Sequence, residues 1–236
     1  MIELWSYLRQ GELLWLTATL VAFLIGEAAS RRSGRHPLVN PVLIAVVLLA
    51  VVLLLSGTDY ATYFEGAQFV HFMLGPATVA LGLPLYANRH RIRRVLLPMA
   101  AALAVGSATA VASALALGQA LGLDRLTLAS LAPKSATAPV ALGVAEATGG
   151  QPTLTAVLVI LTGITGAVAA APLLNLLRVR DWRARGFAVG LASHGIGTAR
   201  AFQVNETAGA FSGIAMGLNA MLTALLAPVA VRLFLG

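Results

Sequence analysis

The sequence predicts an all-α polytopic membrane protein with about six full spans plus two re-entrant or broken helical segments, arranged like an inverted-repeat transporter. Three observations carry this prediction. Of 236 residues, 58% are hydrophobic and only 11% charged, whereas a soluble domain carries about 25% charged residues. Apolar runs near the ~20 residues that cross a bilayer recur along the whole chain, and mean hydropathy reaches +0.85. Finally, two stretches near residues 132–139 and 192–200 place cations and helix breakers inside sequence that otherwise looks like span. Ionisable groups and broken backbone are costly in a bilayer, so they mark a pathway or a binding site.

Spans are expected at roughly 6–28, 38–57, 67–88, 94–118, 153–177 and 210–234. The N-terminus lacks the basic n-region and small-residue cleavage site of a signal peptide, so the first is read as a retained span. Pro41 and Pro98 sit near helix starts, where a missing N–H costs little. The third span carries Gln68, His71 and a kink at Gly75-Pro76, with Pro84 beyond it. Asn219 lies in the middle of the last span and reads as a helix–helix hydrogen bond, and Gly213 and Gly217 form a Gly-x-x-x-Gly packing signal. The chain is treated as one transmembrane domain, with scaffold spans in 1–65 and a motif-bearing region in 66–236.

Eleven arginines fall in three short connections: Arg31, Arg32 and Arg35; Arg89, Arg91, Arg93 and Arg94; and Arg178, Arg180, Arg183 and Arg185. This is the positive-inside pattern, and it accounts for a net charge of +7 without any role in nucleic-acid binding. The connection at 58–65 holds Asp59 and Glu65 and no base, as expected of the opposite face. A complete crossing by 127–148 would put the 178–185 connection outside. A hairpin that dips in and returns leaves it inside, so the hairpin is expected, with Gly149, Gly150 and Pro152 as its exit turn.

A sixty-residue echo accompanies this pattern. Glu146 and Gly149 recur as Glu206 and Gly209, suggesting a duplicated unit around 127–177 and 186–234. With one span between them, the two motif segments would enter from opposite faces, as in an inverted repeat with a midplane site.

Lys134 is the single lysine among 16 basic residues, and it stands at a break between Pro133 and Pro139. Backbone N–H groups at the start of the next half-helix, beside an ammonium and the hydroxyls of Ser135 and Thr137, suit a carboxylate or other anion. The alternative is a lysine snorkelling from a loop. His194 and Arg200 form the second cationic pair, with Gly197 allowing close backbone approach and Ser193 and Thr198 offering hydroxyls. Arg200 either holds a carboxylate bidentately or pairs with Glu206 or Glu146 to stabilise the bundle. His194 is either a ligand or a histidine satisfied by a carbonyl. Glu146 and Glu206 are either proton-coupling acids or capping residues ahead of glycines.

No cysteine is present, and no Walker loop, zinc spacing or Ser-His-Asp order is evident. Neither enzyme chemistry nor a cofactor or metal is expected.

At LGPATVALGLPLY (74–86), LAPKSATAP (131–139), ASHGIGTARA (192–201) and GAFSGIAMG (209–217) the chain resembles the LrgB/CidB family, over nearly everything from Asn40 onward. The resemblance implies a multi-pass protein of the bacterial cytoplasmic membrane. The family was first described as antiholin-like regulators of murein hydrolase export and lysis, working beside small LrgA/CidA partners. Related proteins include the plant plastid glycolate/glycerate translocator, and some members are linked to pyruvate uptake. The implied function is a carrier of small monocarboxylates such as glycolate, glycerate, lactate or pyruvate, with a non-transporting lysis regulator as the alternative. A homo-oligomer in the lipid bilayer is the expected assembly. Ala136 and Ala138 replace a β-branched residue and a threonine frequent in the family, which bears on substrate detail rather than on class.

Overall fold

The computed structural model describes residues 11–36, 38–73 and 95–236, with Pro76, Val79, Tyr86, Arg89 and Arg93. Nine α-helices and no strands occur among them: α1 (Glu12–Arg32), α2 (Pro41–Ser56), α3 (Tyr60–Phe72), α4 (Leu96–Ala120), α5 (Arg125–Leu131), α6 (Ala138–Ala147), α7 (Pro152–Leu176), α8 (Trp182–Val204) and α9 (Glu206–Leu235). Four of these helices (α1, α4, α7 and α9) are long and apolar enough to cross a membrane. The second expected span, α2, has only 16 residues. Most of the expected third span, with its Gly75 and Pro84 signals, lies outside the described residues.

The chain divides into two compact units, Met1–Val79 and Ala80–Gly236. In the first, α1 packs on α2 and α3. Asn40 caps α2 by accepting from the N–H groups of Val42 and Leu43 at 2.9 and 3.2 Å, Pro41 starts the helix, and Gly57 at φ 62° ends it. Trp15 is buried, meets Tyr63 edge-on at 5.9 Å, and lies one turn from Thr19, whose hydroxyl shares a 3.1 Å hydrogen bond with Tyr63. Here the sequence reading needs correction. Residues 58–65 are not a free connection, because α3 begins at Tyr60 and carries Glu65 within it.

The second unit contains two helical reversals. Asp124 caps α5, accepting from Thr127 N–H at 3.0 Å, and the helix stops at Leu131 where Pro133 interrupts it. Residues 132–137 turn, Pro139 restarts the chain as α6, and the return is recorded in hydrogen bonds. Gln151 N–H donates to Ser130 Oγ at 2.7 Å, and Thr155 Oγ1 donates to the Ser130 carbonyl at 3.0 Å. The chain beyond α6 thus comes back beside the end of α5. A helix that continued straight on would put Gln151 about 30 Å from Ser130 at 1.5 Å per residue. This fold-back matches the hairpin expected for 127–148.

The second reversal lies inside α8. Asp181 caps it through a 2.8 Å bond from Arg183 N–H, and Arg183 holds the Asp181 carboxyl down at about 2. At His194 the backbone takes φ 39° and ψ −136°, dividing α8 into arms 182–193 and 195–204. Val189 on the first arm clusters with Ala201 on the second, and a Cβ on Gly197 would come within 2.5 Å of Ser193 Cβ. The arms therefore lie against each other. Gly186 and Gly190 on the first arm pack directly on the backbone of Ala208 and Ser212 in α9. The small-residue packing pair is thus Gly186/Gly190 rather than the Gly213/Gly217 pair singled out by the sequence, since Gly217 faces open space.

Two core clusters sit towards opposite ends of this unit. Val111, Leu115, Leu128, Ala129, Ala132, Val144, Ala227 and Val231 form one, and Met99, Phe187, Leu191, Phe211, Ile214 and Ala215 the other. At the first end, Gln119 and Arg125 donate to the terminal carbonyls of Phe234 and Leu235 at 2.7 and 2.6 Å. At the second, Val95 and Met99 share a cavity with Asp181 and Arg183. The start of α4, just after the 89–94 basic cluster, therefore lies at the same end as the 178–185 cluster. That agrees with the charge pattern read from the sequence.

Candidate functional site

Asn219 is where the two reversals meet. It is fully buried in α9, and its Nδ2 donates to the Ser135 carbonyl at 3.0 Å and the Leu191 carbonyl at 3.1 Å. Its Oδ1 accepts from Ser107 Oγ at 2.6 Å and Thr223 Oγ1 at 3.3 Å. One amide thereby ties the turn after α5 to the end of the first α8 arm and to α4. Ser135 and Leu191 both have free carbonyls because the helices break just there. The sequence reading of Asn219 as an inter-helix hydrogen bond holds, but its position between the two motifs was not legible from the chain.

Around this hub the predicted residues separate into two groups. Lys134 sits on the first turn, half-buried, with Nζ 3.5 Å from Ser135 Oγ. Thr137 occupies the N-cap position of α6, and its hydroxyl is buried without a hydrogen-bond partner among the described residues. A buried hydroxyl left unpaired costs about 1–3 kcal/mol. It sits at the positive end of a 10-residue helix, three residues after Lys134 in the same turn, a setting complementary to an anion.

His194 reaches the same level from the other side. Its Nε2 meets the Val159 carbonyl at 2.8 Å, and Val159 packs on Ala136 and Ala141 of the first reversal. Gly163 makes room for the ring, since a Cβ there would lie 2.6 Å from His194 Cε1, and Ser193 packs onto Gly166. Lys134 and His194, sixty positions apart, thus stand at the breaks of the two reversals.

The remaining predicted residues are elsewhere or otherwise engaged. Thr198 Oγ1 donates to the His194 carbonyl at 2.8 Å and shares a 2.8 Å bond with Ser212 Oγ, which makes it a brace for the break. Gly197 serves close packing of the two arms. Arg200 lies six residues past the break, with Nη1 donating to Gln203 Oε1 at 3.2 Å. It lines a small cleft with Trp182, Arg185, Gly186 and residues of α7, and Lys134 is not among the lining residues. Glu146, in the last turn of α6, and Glu206, at the start of α9, are both exposed.

His194 yields a test of the break itself. A residue with a Cβ at φ 39° costs about 1–3 kcal/mol, which glycine avoids. His194→Gly and His194→Ala both lose the bond to Val159, yet the glycine variant should melt higher, by about 2–4 °C for each kcal/mol of strain relieved. In a continuous helix alanine is favoured by about 1 kcal/mol. A higher melting temperature for His194→Ala in detergent would therefore disprove the break.

The LrgB-like family profile matches residues 19–233. The Staphylococcus epidermidis protein named Holin-like protein CidB is 32% identical over 221 residues, covering 94% of this chain and 96% of that protein. The Staphylococcus aureus protein of the same name is 32% identical over 222 residues, with 94% and 96% covered. Uncharacterized protein YxaC of Bacillus subtilis is 36% identical over 198 residues, covering 84% of this chain and 86% of its own. No solved structure matches significantly.

Proposed function

This chain belongs to the LrgB-like family of multi-pass bacterial membrane proteins, and from that premise we propose that it carries small organic anions across the membrane. The observation that carries this reading is the first break. The turn that leads into α6 carries a half-buried ammonium at Lys134 and, three residues on at the helix N-cap, a buried Thr137 hydroxyl that is unpaired among the described residues. That chemistry fits one carboxylate, with Ser135 and the backbone N–H groups at the start of α6 as further donors. Glycolate, glycerate, lactate and pyruvate are the class.

The two reversals, each followed by a long apolar helix, form on this reading an inverted repeat with its site at the level of Asn219. What supports it is that their breaks hold Lys134 and His194 and share one buried amide. Alternating access then moves one reversal against the other. A small LrgA/CidA-type partner and a homo-oligomer belong to the same proposal.

A second reading has its own support, because two of the relatives are named holin-like. In it the chain regulates lysis through assembly contacts and moves no solute. Uptake of labelled glycolate, glycerate, lactate and pyruvate into liposomes holding only this protein separates the two. Saturable uptake of at least one of them is expected, and none with any would leave the holin-like reading in place.

A further inference from the structure

A slot in the second unit runs inwards from its basic end between α4 and the first α8 arm. It encloses about 560 Å³, and its only charged lining residues are Asp181 and Arg183. Pro98, Ala102 and Gly106 recur at four-residue spacing on α4, and Ala184 and Ala188 do so on α8, so small side chains face the slot from both helices. Buried Phe187 and Phe211 form its floor. Leu191 closes the far end against Gly106, where a Cβ would lie 2.8 Å from Leu191 Cδ1. We infer that this slot holds one acyl chain of an anionic phospholipid, with the phosphate held by arginines around the mouth.

Dimensions and charge favour this occupant. From Val95 to Gly106 on α4, and from Arg183 to Leu191 on α8, the slot extends about 12–16 Å at 1.5 Å per residue. That is the depth of one leaflet, half of the ~30 Å hydrocarbon core. Spread over that length, the volume leaves a cross-section of about 40 Å², roughly half that of a helix 10 Å across. A flexible hydrocarbon chain fits where a partner helix does not. Trp182, directly after Asp181, is exposed, and tryptophan settles at the headgroup level. Arg183 is already matched by Asp181, so the spare charge lies beside it. Arg180 immediately precedes Asp181, and Arg93 lies two residues before Val95, one on each helix at the mouth. Both are exposed and make no ion pair among the described residues. An anionic headgroup answers that charge, and a zwitterionic one does not.

Native mass spectrometry of the purified, delipidated protein, titrated with phosphatidylglycerol or with phosphatidylcholine of the same chains, reads bound lipid and oligomeric state together. Phosphatidylglycerol should bind about 10–30-fold more tightly, the effect of two arginines at the headgroup level. Arg93→Gln/Arg180→Gln should bring that ratio close to one. Ala102→Leu/Ala188→Leu fills the slot and should lose tight binding of phosphatidylglycerol. Ala104→Leu, exposed on α4 but outside the slot, and Lys134→Gln, at the anion site, should bind lipid as the parent protein does. Equal binding of the two lipids, or tight binding retained in the filled variant, overturns the proposal. So does a change of oligomeric state on filling the slot, which would put a second copy of the chain there. Should the filled variant melt well below the parent, the arginine double variant decides, and an unchanged lipid ratio in it overturns the proposal. No flux is measured, so the carrier reading stands or falls separately.

Discussion

Replacing Lys134 with glutamine should lower the initial rate of carboxylate uptake into liposomes by about 10–100-fold, with wild-type folding retained. The change removes one charge-assisted hydrogen bond, worth about 1.5–3 kcal/mol. Glutamine keeps N–H donors on a side chain one atom shorter but removes the ammonium that stands beside the Ser135 hydroxyl. Lys134→Arg keeps the charge but replaces a compact ammonium with a planar fork, so an intermediate rate is expected. Thr137→Val tests the same site from its other donor. Because the Thr137 hydroxyl makes no bond among the described residues, the change should leave the melting temperature unchanged or raised while uptake falls. Undiminished uptake by Lys134→Gln would remove the lysine from the site and with it the carrier mechanism argued above.

The second large effect concerns Asn219. Changing it to aspartate turns a donor towards neither the Ser135 nor the Leu191 carbonyl and sets carboxylate oxygens against both. Two orphaned carbonyls cost about 1 kcal/mol each or more, and the buried charge adds to that. In a chain of this size the midpoint should drop by about 5–10 °C. Asn219→Leu removes the charge term and should fall between aspartate and the parent protein. Ser107→Ala, which deletes one donor to Oδ1 and leaves both carbonyls paired, should cost least. An Asn219→Asp protein that melts within a degree of the parent would show that the amide does not join the two reversals.

Much of this was legible along the chain because its physics is one-dimensional. Arginine placement between apolar runs predicted that the 89–94 and 178–185 clusters share an end, and with it that 127–148 turns back. Gln151 bonded to Ser130 agrees with that. Proline and glycine marked the breaks for the same reason, since loss of an N–H or of a Cβ acts locally. The acidic 58–65 stretch was misread because charge signals a membrane face, but Tyr60 can start a helix there regardless.

By itself, then, the sequence determined the class, the common end of two basic connections and the residues Lys134 and His194 as the polar interruptions, all of them consequences of local composition. Which partners those residues meet was decided only in three dimensions. Arg200 was grouped with His194 by its place in the chain but lines a cleft with Arg185, because the reversal at His194 carries it back along α7. Thr198 and Gly197 became bracing, and Asn219 became the joint between motifs 84 and 28 residues away. Spacing along a chain specifies a face only while the helix continues. Once φ turns positive at His194 the register is lost, and packing decides what lies against what.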